Sequence, residues 1–196
     1  MGSWEFTGRI QKHNGRTLRQ IKCAEAYAHL GVKVGDIGGW IEHKDNLLGN
    51  AWVADYGMIY DRARVSGDAL IAERAKVFDN ARVSDNAIVT DNARVFDMAH
   101  LTGKCAICKN AKVFDNASVY DSATVTDDAQ VFEDAIVRDA AMVAGRSKAY
   151  GNAVVEGTTV LNGDEVMSDG SVLRTMRNQR AEAEPNDADF TASSNF

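Results

Sequence analysis

Lys76, Arg94 and Lys112 recur at intervals of eighteen residues, and each stands two positions before a ring: Phe78, Phe96 and Phe114. A cation beside an aromatic residue, repeated at fixed spacing, can neutralise a phosphate and stack a base. A second series with the same interval comprises Arg64, Arg82 and His100, accompanied by Ser66, Ser84 and Thr102. Three stacked donors with small hydroxyl neighbours make a shelf on which an anion could sit. Each series also has a structural explanation. Stacked rings stabilise a sheet by ladder packing. The cations of the first series could pair with the acidic series Asp61, Asp79, Asp97, Asp115 and Glu133, and those of the second with Asp85 and its neighbours.

Such regular spacing requires a regular scaffold. Every sixth residue from Val53 to Met167 is aliphatic, with Ala149 the only weak member, and every eighteenth from Tyr60 to Tyr150 is aromatic. A period of six sets one short strand and one turn per unit. A super-period of eighteen returns the chain to the same side after three units. The unit reads Ala-x-Val-x-Asp-Asn, as in Ala75–Asn80, and twenty units fit between Ala51 and Gly170 without insertion or deletion. Alternation along the strand turns the third residue inward and the second and fourth outward. Ala in the first position fits a narrow interior where three walls converge. Asp-Asn or Gly in the fifth and sixth positions suits a corner with left-handed backbone. The sequence therefore predicts an all-β triangular solenoid of about seven coils, a prism roughly 30 Å tall at one strand spacing per coil.

The eighteen-residue register sorts outward residues onto three walls. The first carries Trp52, Leu70, Ile88, Ala106, Thr124, Met142 and Val160 in its second position, an almost uncharged strip. An exposed apolar strip of that extent calls for a cover. Self-association through Trp52, Leu70, Ile88, Met142 and Val160 is the leading expectation, and folding of a terminal element over the strip is the alternative. The second wall carries the cation–ring series and the third the Arg64, Arg82, His100 series.

This pattern resembles the left-handed parallel β-helix of hexapeptide-repeat proteins. Upstream, Leu18–Ile21, Val34-Gly35-Asp36-Ile37-Gly38-Gly39-Trp40-Ile41-Glu42 and Gly49-Asn50-Ala51-Trp52-Val53 resemble the YdcK-type members found in enterobacteria and in their phages and prophages. The resemblance implies homotrimers of parallel prisms, with ligands of coenzyme or nucleotide type held in the grooves between subunits. Hexapeptide acyltransferases place a histidine general base between subunits and often extrude an acceptor loop. Here the coils contain no loop, and His100 is their only histidine, because His13, His29 and His43 precede them. An acyltransferase is therefore the third expectation, with no catalytic residue assigned.

Three divisions follow: an N-terminal hairpin and cap over 1–38, the β-helix over 39–173, and a short helix with a disordered tail over 174–196. In the cap, strands Trp4–Lys12 and Thr17–Cys23 flank a His13-Asn14-Gly15 turn, and a connector over 24–36 includes a helical turn at Glu25–Leu30. A net charge of −6 argues against duplex nucleic acid and membrane surfaces as partners. Met1-Gly2-Ser3-Trp4-Glu5 has no basic stretch before an apolar run, so no signal peptide is expected. Three cysteines and no export signal point to the cytoplasm, the host's if the gene is a phage's. Cys105 and Cys108 fall on opposite sides of a wall, which excludes a shared metal or disulfide. No phosphate-binding glycine loop and no cofactor motif occur. The leading functional expectation is a non-enzymatic homo-oligomer that captures a small anionic ligand of nucleotide type, bound by Arg64, Arg82, His100, Lys76, Arg94, Phe96, Lys112 and Phe114. Sequestering a host defence signal would be a use for it. A module that blocks a host protein is the alternative.

Overall fold

The computed structural model describes residues 4–174, so Met1–Ser3, and the expectations of a helix and a disordered tail beyond Arg174, lie outside the described residues. Arg174 itself ends a strand, Val172–Arg174. Strand β1 (Trp4–His13) pairs antiparallel with β2 (Arg16–Cys23). Each strand runs one residue further toward the turn than expected, because Asn14 and Gly15, with φ of 48° and 80°, make the whole connection. Two consecutive positive φ values match the twist of the flanking strands. In the connector, the expected helical turn shrinks to the 3-10 segment Ala28–Leu30, closed by Gly31 at φ 69°.

Strand β3 (Ile37–Ile41) joins cap to column. It pairs antiparallel with β2 and parallel with Met58–Ile59, so Trp40 lies over Met58 and Ile41 over Ile59. The eighteen-residue register thus reaches back to β3. From there three parallel sheets rise as one solenoid. The second wall is a ten-stranded sheet that includes β1, β2 and β3, and the first and third walls have seven strands each. Neighbouring rungs are held by outward-position amides: Lys76 N–H donates to the Ala93 carbonyl at 3.0 Å and Phe78 N–H to that of Val95 at 3.0 Å. Inside, the alanines and aliphatics form one continuous column of buried side chains from Ala51 to Met167.

The corners explain the acidic bias of the sequence. From Asp55 to Gly163 every fifth-position residue has positive φ, between 52° and 61° where it is not glycine. Asp tolerates this region through its short polar side chain. Its carboxylate also accepts a backbone N–H one coil on: Asp91 from Lys109 at 2.9 Å, Asp139 from Gly157 at 2.8 Å, Asp85 from Gly103 at 3.1 Å. Glu73 occupies the same backbone conformation at φ 58° without being an Asx residue or glycine. Glu73→Asn is expected to stabilise the fold by about 0.5–1 kcal/mol. A melting temperature that stays level or falls would remove this account of the corners.

The cap closes the upper end of the column. Leu18 and Ile21 of β2 are fully buried. Tyr27 of the connector lays its ring 5.5 Å from that of Trp52. No α-helix occurs among the described residues, and none of their helices is long and apolar enough to cross a membrane.

Candidate functional site

On the second wall the rings of Tyr60, Phe78, Phe96, Phe114, Phe132 and Tyr150 form one stack. Successive centroids are 4.9–5.1 Å apart and successive planes lie within 9°. Above Tyr60 the His13 ring meets it edge-on at 5.4 Å. Phe96 and Phe114 are therefore covered on both faces by other rings. The expectation that they stack a base is overturned: only their edges are open, and the ladder is packing. Tyr60 is almost wholly buried, and that burial, reinforced by Asp61 and Asp79, pushes its phenol up to about 12.

The cations beside the rings are a different matter. Lys76, Arg94 and Lys112 are direct rung partners. Among the described residues none of the three has a carboxylate oxygen within 4.0 Å. The acidic series that could have paired with them is turned to backbone instead. Asp79 accepts from Asp97 N–H at 3.5 Å, Asp97 from Asp115 N–H at 3.4 Å, and Asp115 from Glu133 N–H at 3.2 Å. Asp61 pairs with Arg16 of the hairpin. The Lys76 ammonium is lowered from its ordinary value by burial and then by the like charge of Arg94. Burial and then the charge of Lys76 lower His13 in turn. A row of cations that repel one another is a row that an anion would stabilise.

Arg74 joins them. Tyr56, Met58, Arg74, Lys76, Asn92 and Arg94 line a groove of about 290 Å³ along the corner between the first and second walls. Sequence reasoning missed Tyr56, Arg74 and Asn92, which occupy the sixth position of successive first-wall units. Only the second and fourth positions were sorted as outward, although the same register applied to the sixth yields Tyr56, Arg74, Asn92 and Asn110.

The third wall offers less to an anion than its residue types suggest. Arg64, Arg82 and His100 are rung partners and exposed. Two of their three hydroxyl neighbours are already committed. Ser84 Oγ donates to Thr102 Oγ1 at 3.2 Å, and Thr102 donates to the Asp85 carboxylate. The bonds from Thr102 and Gly103, with a smaller contribution from His100, hold the Asp85 carboxyl below its usual value. A fixed negative charge thus stands in the expected anion shelf. The two predicted sets lie on different walls, and one chain does not bring them together.

On the first wall the structure removes Trp52 from the expected interface, because Tyr27 covers it and leaves it 2% exposed. Leu70 is half-buried. Ile88, Met142 and Val160 stay open at 41%, 37% and 54%. Cys105 points inward and is fully buried, so its thiol is pushed up to about 12, whereas Cys108 lies outside with Sγ 3.1 Å from Thr126 Oγ1.

Residues 81–97 match the family model described as the YdcK β-solenoid repeat. That segment spans parts of three units, one from each wall. No curated protein matches the chain.

Proposed function

We propose that this YdcK-type β-solenoid captures a small anionic ligand of nucleotide type without converting it, and that it does so as an oligomer. The observation that carries the reading is the Lys76–Arg94–Lys112 row, which has no carboxylate oxygen within 4.0 Å among the described residues, while Asp79, Asp97 and Asp115 beside it accept backbone N–H groups. Charge-assisted bonds from such donors are stronger than neutral ones and specific for carboxylate or phosphate. The open strip of Ile88, Met142 and Val160 lies on the first wall and supports self-association. A phage setting, which the family resemblance implies, would make capture of a host nucleotide signal a use for the site.

Native mass spectrometry of protein purified from cells, repeated after denaturation, tests this. A multimer carrying releasable small-molecule mass at each site is the expected result; a monomer without added mass would overturn it and favour a module that binds a host protein. The variant Lys76→Glu/Arg94→Glu should keep its melting temperature and lose at least about a hundredfold in affinity, since two charge-assisted contacts disappear. The acyltransferase alternative rests on His100 alone, and it expects acetyl-CoA turnover that His100→Ala abolishes.

A further inference from the structure

We infer that the groove between the first and second walls is built for a nucleoside phosphate, with Tyr56 and Met58 receiving the base and Arg74, Lys76 and Arg94 receiving the phosphates. This rests on the anion-capture reading and adds to it the two chemical parts of the occupant.

The groove is a two-by-three grid. One column is the sixth-position corner series Tyr56, Arg74, Asn92. The other is the second-position series Met58, Lys76, Arg94, which begins two residues later on each coil. All six line the same groove of about 290 Å³. Met58 and Lys76 are rung partners, with Met58 N–H donating to the Ala75 carbonyl at 3.0 Å, and below them Arg74 N–H donates to the Asp91 carbonyl and Asn92 N–H to that of Lys109, both at 2.8 Å. The rows are therefore one coil apart, about 4.8 Å. The upper row is a ring and a thioether. The lower rows supply three cations, none of which has a carboxylate oxygen within 4.0 Å among the described residues. An apolar, π-rich end one coil away from a cationic end matches a planar base joined to its phosphates.

Tyr56 differs from the ladder rings in the respect that matters. It is 67% exposed and takes part in no ring pair among the described residues, so its face is open where those of Phe96 and Phe114 are not. A base can stack on it, and any base has a face to offer. Two of the three acids beyond Arg74 accept hydrogen bonds of their own. Asp55 accepts Glu73 N–H at 3.4 Å, and Asp91 accepts Lys109 N–H at 2.9 Å and the Thr90 hydroxyl at 3.3 Å. They line the adjoining groove on the far side of Arg74, of about 350 Å³, with Glu73.

The test is isothermal titration of the full chain with ADP and with inorganic pyrophosphate, which has the phosphates without the base. ADP should bind at least about tenfold more tightly. Tyr56→Ala should bring ADP down to the pyrophosphate affinity and leave pyrophosphate unchanged. Arg74→Ala should weaken both probes by about tenfold or more. Equal affinities for the two probes together with a silent Tyr56→Ala would overturn the base platform, as would a silent Arg74→Ala for the phosphate contact. In either case loss of pyrophosphate in Lys76→Glu/Arg94→Glu would leave anion capture standing. A wild-type chain that binds neither probe overturns the nucleotide assignment, while mass released from cell-purified protein still judges capture separately.

Discussion

Gly39→Ala is expected to lower stability by about 1–3 kcal/mol and to free the hairpin from the column. The demand at this position is for space, since its φ is not positive. A Cβ on Gly39 would stand 2.5 Å from the Gly57 carbonyl oxygen, 2.8 Å from Val53 Cγ2 and 3.0 Å from the Ala54 carbonyl oxygen. Two of these three are backbone atoms, which cannot move aside as the end of a side chain can. The Gly57 carbonyl is also the acceptor for Trp40 N–H at 2.9 Å, so the added methyl presses on the bond that starts the column. Gly39 and Gly57 occupy the position held lower down by Ala75 and Ala93, and glycine appears there only where β3 closes over the top. Because each coil of a solenoid touches only its neighbours, the damage should stay local. Hydrogen exchange should quicken across β2 and β3 and remain slow around Val95 and Val113, and the thermal midpoint should fall. An unchanged midpoint with unchanged exchange in β2 would show that the Gly-Gly pair is not required by packing.

The column itself was legible because each of its units meets the same environment. A position that repeats every six residues is decided many times over, so Val53, Ile59 and Val65 could be placed inside from spacing alone. The cap offers no such repetition. Only the Asn14-Gly15 turn and the alternation around it spoke for the hairpin, and nothing local announced that Tyr27 would reach Trp52, a contact between an aperiodic connector and the first coil. For the rings, the choice between ladder packing and base stacking was already contained in the period. Coils about 4.8 Å apart bring rings into contact, whereas a base between two rings would need about 3.4 Å on each side. The acids allowed two readings, as ion-pair partners of the cations and as corner residues. The corner, with its positive φ, leaves N–H groups that Asp97 and Asp115 satisfy instead. The candidate site was half visible: Lys76 and Arg94 came from the outward positions, while Tyr56 and Arg74 lay in a column read only as turn.

Phe96→Ala should cost about 3 kcal/mol of stability. Phe96 is half-buried in the middle of the ladder, with Phe78 at 5.0 Å on one face and Phe114 at 4.9 Å on the other. Removing it takes away two stacking contacts of roughly 0.5–1.5 kcal/mol each, and further apolar burial with them. Among the described residues Tyr150 is the last ring of the stack, with Phe132 as its one stacked neighbour at 5.1 Å, so Tyr150→Ala should lose one such contact and be milder by about 1 kcal/mol. Phe96→Leu should fall between, since it keeps apolar area and loses the flat stack. Anion affinity should survive all three changes, because Lys76, Arg74 and Arg94 stay on the wall. Urea unfolding of the three variants beside pyrophosphate titration separates packing from recognition. Native stability in Phe96→Ala with collapsed affinity would make the ladder part of the ligand site; lost stability with retained affinity assigns the rings to the scaffold and the binding to the cations.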